Sequence, residues 1–351
     1  MKKIAKLIFC ALALMMVASA VFAGGAKESI QVGIVLPTKD EPRWIQDEAS
    51  FLKLLKGKAS VELLFSQGDP AKEKQNVEAL LNKGIKILII CPHDGSAAAA
   101  AAEAAKKDGV TVISYDRLIT GTKAVDYYVT FDSFAVGVAQ GQFLIDNLKA
   151  AKGNPLYLYA GAVSDNNAFI FFEGAWSVLQ PKIADGTFVV KNSDKAVALK
   201  GKASLTRDEV ASILGQITTD WNFDVAKKKA ADNLTVAKAA DKGDCYILAP
   251  NDGTARAIAD EFAKDPAVTS YVITGQDAEE ASRQYIADGK QTMTVWKNTG
   301  ILASDAIKMA TDILSGNKPE TSSTYNNGVI DVPSKQTAVT VLTKDNLNIY
   351  K

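Results

Sequence analysis

Polar and aromatic side chains collect at one kind of place in this chain, directly after short apolar runs. Lys39, Asp40, Arg43 and Trp44 follow Ser29–Leu36, and His93 and Asp94 follow Ile85–Cys91. Asp116 and Arg117 follow Val110–Tyr115, and Asp132 follows Tyr127–Phe131. Farther on, Asp165, Asn166, Asn167 and Phe169 follow Leu156–Ala160, and Asn251 and Asp252 follow Cys245–Ala249. Gln276 and Asp277 follow Tyr271–Thr274, and Trp296, Lys297 and Asn298 follow Thr292–Val295. Vicinal hydroxyls both donate and accept hydrogen bonds. A carboxylate accepts from them, and Arg, Lys or an amide donates to their oxygens. An aromatic ring covers the apolar C–H face of a sugar ring. Taken together, the set suits a carbohydrate. Taken singly, each residue has a plainer role: Asp94, Asp165 and Asp252 as helix N-caps, Trp44 as core, Arg117 as a surface ion pair.

The apolar runs that carry these groups alternate with helical patterns. Trp44–Leu55 has apolar residues at helical spacing, and Asp69-Pro70 opens a helix that stops at Gly84. Ile85–Cys91 is continuously apolar, as in a sheet covered on both faces. Ser96 precedes an alanine-rich helix ending at Gly109. Helices over Ser133–Leu148, Asn167–Ile183, Phe223–Ala240, Thr254–Lys264, Glu279–Asp288 and Ile301–Leu314 continue the alternation. Residues 192–220 read as less regular, and the tail from Asn326 as short strands. Repeated β–α–β units predict an α/β protein with parallel sheets and right-handed crossovers. About ten strands in two series divide better into two doubly wound lobes than into one wide sheet. Ligands of such sheets bind beyond the carboxyl ends of the strands, where the polar groups lie.

The chain has 351 residues, with 40 Lys+Arg against 40 Asp+Glu, one His and three Cys. Balanced charge leaves no electrostatic footprint for nucleic acid or an anionic membrane. One His disfavours a multi-His metal centre or a His-based proton relay, and neither metal nor cofactor is expected. No G-x-S-x-G, P-loop or G-x-G-x-x-G occurs. Asp116, Asp165 and Asp277 could approach each other as a glycosidase pair, but Arg117, Asn166 and Gln276 beside them are expected to keep carboxylates ionised, against the raised pKa a general acid needs. No catalytic activity is expected.

Lys2, Lys3 and Lys6 precede an apolar run, Leu7–Phe22, and Val21-Phe22-Ala23 has signal-peptidase spacing. Residues 1–23 are therefore expected to be a signal peptide, leaving 351 − 23 = 328 residues with net charge 37 − 40 = −3. Phe9 before Cys10 argues against lipidation there. Cys91 and Cys245 read as buried free thiols in separate sheets.

Six segments resemble a known family. They are Tyr115-Asp116-Arg117-Leu118-Ile119, Thr130-Phe131-Asp132, Ser164-Asp165-Asn166-Asn167-Ala168, Thr274-Gly275-Gln276-Asp277-Ala278, Gln291–Lys297 and Tyr325–Ser334. In this order they are similar to the D-xylose-binding and multiple-sugar-binding periplasmic proteins of ABC importers. The likeness runs from about Ile30 to the end, apart from residues 192–216, which look like an insertion. It implies a type I periplasmic binding protein, two lobes joined by a three-segment hinge. Crossings are expected near Asp132, Asp277 and Asn327–Val332. The lobes would be 30–132 with 278–327, and 133–277 with 328–351. The resemblance also implies roles. Trp44 beside Arg43 would stack on sugar, Asp116 and Arg117 would grip ring hydroxyls, and Asp165 and Asn167 would come from the second lobe. Asn251, Asp277 and Lys297 would complete the set, with Trp221 as a second stacking ring. Phe169 replaces a basic residue of some relatives, and Lys39, His93 and Asn166 stand at the lip. The partners so implied are a monosaccharide, xylose before glucose or galactose, and an ABC permease, or else a chemoreceptor or sensor kinase. A monomer in the periplasm or at the cell-envelope exterior is expected.

Overall fold

The computed structural model describes residues 30–350, so the expected signal peptide lies outside the described residues. The first lobe is built from β1 (Val32–Leu36), α1 (Pro42–Leu55), β2 (Val61–Phe65), α2 (Pro70–Leu81), β3 (Ile87–Ile90), α3 (Ala99–Lys107), β4 (Thr111–Tyr115) and β5 (Tyr127–Phe131). The second continues with α4 (Ser133–Asp146), β6 (Asn154–Leu158), α5 (Asn166–Ala184), β7 (Phe188–Val190), α6 (Asp194–Leu199), α7 (Arg207–Ile217) and α8 (Phe223–Val236). It goes on through β8 (Gly243–Leu248), α9 (Asp252–Phe262), β9 (Val268–Ile273), α10 (Glu280–Ala287) and β10 (Met293–Trp296). The chain then returns with α11 (Thr299–Leu314), β11 (Ser323–Asn326) and β12 (Asp331–Thr337), and ends in β13 (Thr340–Thr343).

β1 and β3 are buried along their whole length. That is why they read as unbroken apolar runs rather than alternating ones. Successive side chains still part to opposite faces. Ile34, Ile87, Ile113 and Phe131 pack under α1 and α11, while Val35, Leu88, Val112 and Tyr128 pack under α2 and α3. Each such side chain stabilises the fold by about 1.5–3 kcal/mol on burial. The first sheet has strand order β11-β12-β5-β4-β3-β1-β2, parallel except for the β11–β12 hairpin. The second is β7-β6-β8-β9, all parallel. A β10–β13 antiparallel ribbon joins its edge through a parallel bridge from Gln276 to Val295. Two doubly wound lobes are therefore present. Cys91 and Cys245 are buried free thiols, one in each lobe.

The lobe boundaries differ from the expectation in two places. Residues 278–297 do not join the first lobe: α10 packs on α9, and Met293 and Val295 pack with Val136 and Phe171. Asp331–Thr337 does not join the second lobe: β12 pairs with β5, and Val332 enters a first-lobe core cluster. The chain thus crosses at Asp132, at Lys297–Asn298 and at Ala338–Val339. Two crossing segments lie side by side, with the Asp132 N–H donating to the Thr337 carbonyl at 3.1 Å. Sequence pattern announces a strand but not its neighbour, because pairing is a long-range choice.

Residues 192–220 are not irregular. They hold α6 and α7, and Ala196, Val210, Ile213, Leu214 and Ile217 complete a second-lobe core cluster. A Thr206–Glu209 capping box opens α7. This is a Thr-x-x-Glu signal that was present in the sequence.

Candidate functional site

The strand ends converge between the lobes, and Arg43 is the hub. It lies in the first turn of α1, after Glu41 at the N-cap position and Pro42 at N1. Its Nε donates to Asp47 Oδ2 at 2.9 Å, one helical turn on, and Nη2 donates to Asp116 Oδ2 at 2.7 Å. Nη1 lies 3.6 Å from Asp277 Oδ1. Tyr115 Oη donates to the other oxygen of Asp47. Burial pushes the Asp116 carboxyl up, but Arg43, then Lys297 and Arg117, outweigh it and hold the group below its ordinary value. Burial dominates at Asp47 and Asp165, lifting both against their arginines.

Asp116 stands at φ 59°, where an L residue is strained. Its carbonyl is held by Tyr128 Oη at 2.6 Å and by Asn167 Nδ2 at 2.7 Å. Asn167 belongs to the second lobe. Arg117 makes the same crossing: its Nε is 3.1 Å from Asp165 Oδ2, and its Nη2 is 3.3 Å from Glu41. The Gly95 N–H donates to the Ser164 carbonyl at 3.1 Å, again between lobes. This is a closed arrangement. The Trp44 ring lies under both guanidinium groups, 4.8 Å from Arg43 and 5.1 Å from Arg117.

The second lobe supplies the facing wall. Asp165 caps α5 by accepting from the Asn167 N–H, and Asn251 caps α9 by accepting from the Thr254 N–H. Asn251 Oδ1 also accepts from Thr254 Oγ1, so the side chain offers the cleft its amide N–H groups. Asp277 has φ 100° and sits 2.9 Å from Lys297 Nζ, which lies off the hydrogen-bonding direction of that oxygen. Trp221 follows Asp220 in a left-handed pair, φ 52° and 58°. Its ring meets Phe171 edge-on at 6.2 Å. It also fills the place a side chain at residue 161 would need, since a Cβ on Gly161 would lie 2.0 Å from it.

Glu41, Arg43, Trp44, Asp116, Arg117, Asp165, Asn167, Phe171, Trp221, Asn251, Gln276, Asp277 and Lys297 therefore line one pocket. Ten of these were expected as site residues; Glu41 and Phe171 were missed, and Gln276 was noted at its strand end without a role of its own. Four expected residues are elsewhere. Phe169 is buried in the second-lobe core, with Arg207 3.3 Å from its ring centroid. The helix explains the exchange. Phe171 is four residues from Asn167 and shares its face, whereas Phe169, two residues on, points away. Lys39 is exposed, paired with Glu48 and set over Phe65. His93 lines the outer mouth of the cleft, and Asn166 a separate groove with Arg207. Asp252 is a fully buried part of the scaffold that accepts from Gln291 and from the Glu279 N–H.

The pocket brings three cations against four carboxylates, and most are already paired with each other. Trp44 Nε1, Trp221 Nε1 and Gln276 Oε1 are buried without a partner. A pocket with donors, acceptors and rings but no surplus of positive charge suits a neutral polyhydroxylated molecule. Among the described residues no group of three or more His, Cys, Asp and Glu is placed to hold a metal.

Comparison with known proteins gives a consistent result. The periplasmic binding protein domain model matches residues 32–318. The multiple sugar-binding periplasmic protein SbpA of Azospirillum brasilense is 35% identical over 318 residues, 88% of this chain and 84% of that one. The D-xylose-binding periplasmic protein of Escherichia coli is 29% identical, covering 93% of this chain and 90% of that one. A carbohydrate transporter solute-binding protein from Chloroflexus aurantiacus, solved in complex with D-glucose, is 66% identical with a TM-score of 0.90. That match covers 92% of this chain and 94% of the other.

Proposed function

The chain belongs to the periplasmic binding protein family, as a sugar-binding member of the ABC-transporter type, and on that premise we propose that it captures one aldopyranose between its closing lobes and delivers it to an ABC sugar permease. The observation that carries this reading is the pocket itself, built from both lobes out of paired charges, amides and rings. A ligand closes a two-state protein only through contacts it makes better in the closed state. Hydroxyls bridging Asp116 and Arg117 on one side to Asn167, Asn251 and Asp277 on the other meet that requirement. Three cations against four carboxylates leave no positive surplus for a phosphorylated sugar or a sugar acid. Against a hydrolytic role stand the sugar-binding relatives. Arg43, Lys297 and Arg117 hold Asp116 below its ordinary value, but burial lifts Asp165 against its partner Arg117, so the expectation that every cleft carboxylate lacks a raised pKa is not met there.

We place D-glucose ahead of xylose, reversing the sequence-based order. The 66% identical chain was solved with D-glucose, whereas the xylose-binding relative is 29% identical. We place its action in the periplasm, as the names of the SbpA and D-xylose-binding relatives have it, after export directed by residues 1–23. Calorimetry against glucose, xylose, galactose, ribose, glucose 6-phosphate and glucuronate tests the reading. We expect neutral aldopyranoses to bind at micromolar Kd or better. Failure of every monosaccharide below about 1 mM sinks it.

A further inference from the structure

The cleft does not end at the inner ring of residues. Beyond it the space widens, from about 20 Å³ in the inner site to about 380 Å³ outside. Glu41, Arg43, Trp221, Asn251 and Asp277 line both, so the two spaces adjoin. The outer wall also comes from both lobes. Asp40 and His93 stand on the first, and Phe223, Asp224 and Arg256 on the second. It stays wide although the lobes are closed on each other below it.

It carries the same kinds of group as the inner site but is more acidic: Asp40, Glu41, Asp220, Asp224, Asp277 and Glu279 face Arg43, Arg256 and His93. Carboxylates, a guanidinium and an imidazole surround a phenylalanine that is 42% exposed at the first position of α8. An exposed ring among hydrogen-bonding groups is a platform for a sugar C–H face. Helices α1, α8 and α9 all begin at this cavity, an arrangement that would attract an anion. Here two of the positive ends already have carboxylates, Glu41 at α1 and Asp224 in the first turn of α8, and Asp40, Asp220 and Glu279 line the same cavity. An anion is therefore disfavoured, and hydroxyls that donate to these carboxylates fit. Trp221 stands where the two spaces meet, with its Nε1 unpartnered.

We propose that the outer cavity is a second sugar subsite, so that the protein also binds sugars carrying a glycosidic group, a disaccharide above all, on the ring held inside. This rests on the aldopyranose reading of the inner site. A second ring touching Asp40 on one lobe and Phe223 on the other adds contacts that exist only on closure, and so favours the closed state.

Calorimetry of the folded protein with glucose, methyl α- and β-glucosides, maltose and cellobiose tests it. We expect at least one disaccharide to bind within about a hundredfold of glucose. Phe223→Ala and Asp40→Ala should each weaken that disaccharide about three- to tenfold while leaving glucose unchanged. If glucose binds but every disaccharide is weaker than that limit, the cavity is only an entrance and the proposal fails alone. It also fails if the two variants do not weaken the disaccharide selectively. If no sugar binds at all, the inner-site reading falls with it.

Discussion

Asp277 is where the proposed binding chemistry is most exposed to test. Its carboxylate lies 2.9 Å from Lys297 Nζ and 3.6 Å from Arg43 Nη1, with all three side chains at most 9% exposed. Arg43 keeps Asp47 and Asp116 when Asp277 is changed. Lys297 does not, because Asp277 is its one carboxylate partner within ion-pair distance among the described residues. Asn is the informative replacement. At φ 100° Ala would add about 1 kcal/mol or more of backbone strain, whereas Asn tolerates positive φ better. The amide keeps the shape and removes the charge. A sugar hydroxyl that donated to a carboxylate then meets a neutral acceptor, and the loss of a charge-assisted hydrogen bond costs about 1.5–3 kcal/mol, or roughly 10- to 150-fold in Kd. Calorimetry with glucose reads the affinity, and a melt without sugar checks the fold. A variant that melts like the parent and binds within about twofold of it would remove Asp277 from the site.

Three further outcomes follow from the geometry. Gly161→Ala puts a methyl 2.0 Å from the Trp221 ring, so the indole must move. Tryptophan fluorescence should change, and sugar affinity should fall about 3- to 15-fold through lost stacking; unchanged affinity would mean that Trp221 does not touch sugar. Burial lifts the Glu73 carboxyl from 4.5 to about 7, outweighing the hydrogen bond from the His93 N–H. An acid with a raised folded pKa binds its proton more tightly when folded. Stability from this group is therefore full below about pH 4.5 and falls away as pH rises through about 7, by at most about 3 kcal/mol. Glu73→Gln should make the protein more resistant to urea than the parent at pH 8 but not at pH 4.5, and equal midpoints at pH 8 would refute this. Small-angle scattering should show a smaller radius of gyration with sugar, since Asn167 and Asp165 reach Asp116 and Arg117 only across the gap between lobes. An unchanged radius at saturation would count against a hinge.

Much of this protein was legible before folding, because local rules govern it. β1 and β3 are buried on both faces, so their sequences are apolar without interruption. Parallel strands then deliver their following loops to one edge, and reading the polar residues after each strand finds Arg43, Asp116, Arg117, Asn251, Asp277 and Lys297 without coordinates. The missed capping box at Thr206 and the exchange of Phe169 for Phe171 were also local signals, written in spacings of three and four.

What only the tertiary structure decided is of another kind. Whether Asp331–Thr337 pairs with β5 or joins the other lobe depends on a partner some two hundred residues away, and no local pattern encodes that choice. The left-handed backbone of Asp116, Trp221 and Asp277 is likewise invisible in residues that are not glycine, since neighbouring elements impose it. The mutual pairing of charges across the cleft is of the same origin. Arg117 with Asp165 and Arg43 with Asp116 are chosen by the approach of surfaces, and that approach sets which groups stay free for a ligand. Sequence determines the kinds of group at the strand ends; the distances between them come from packing over the whole chain.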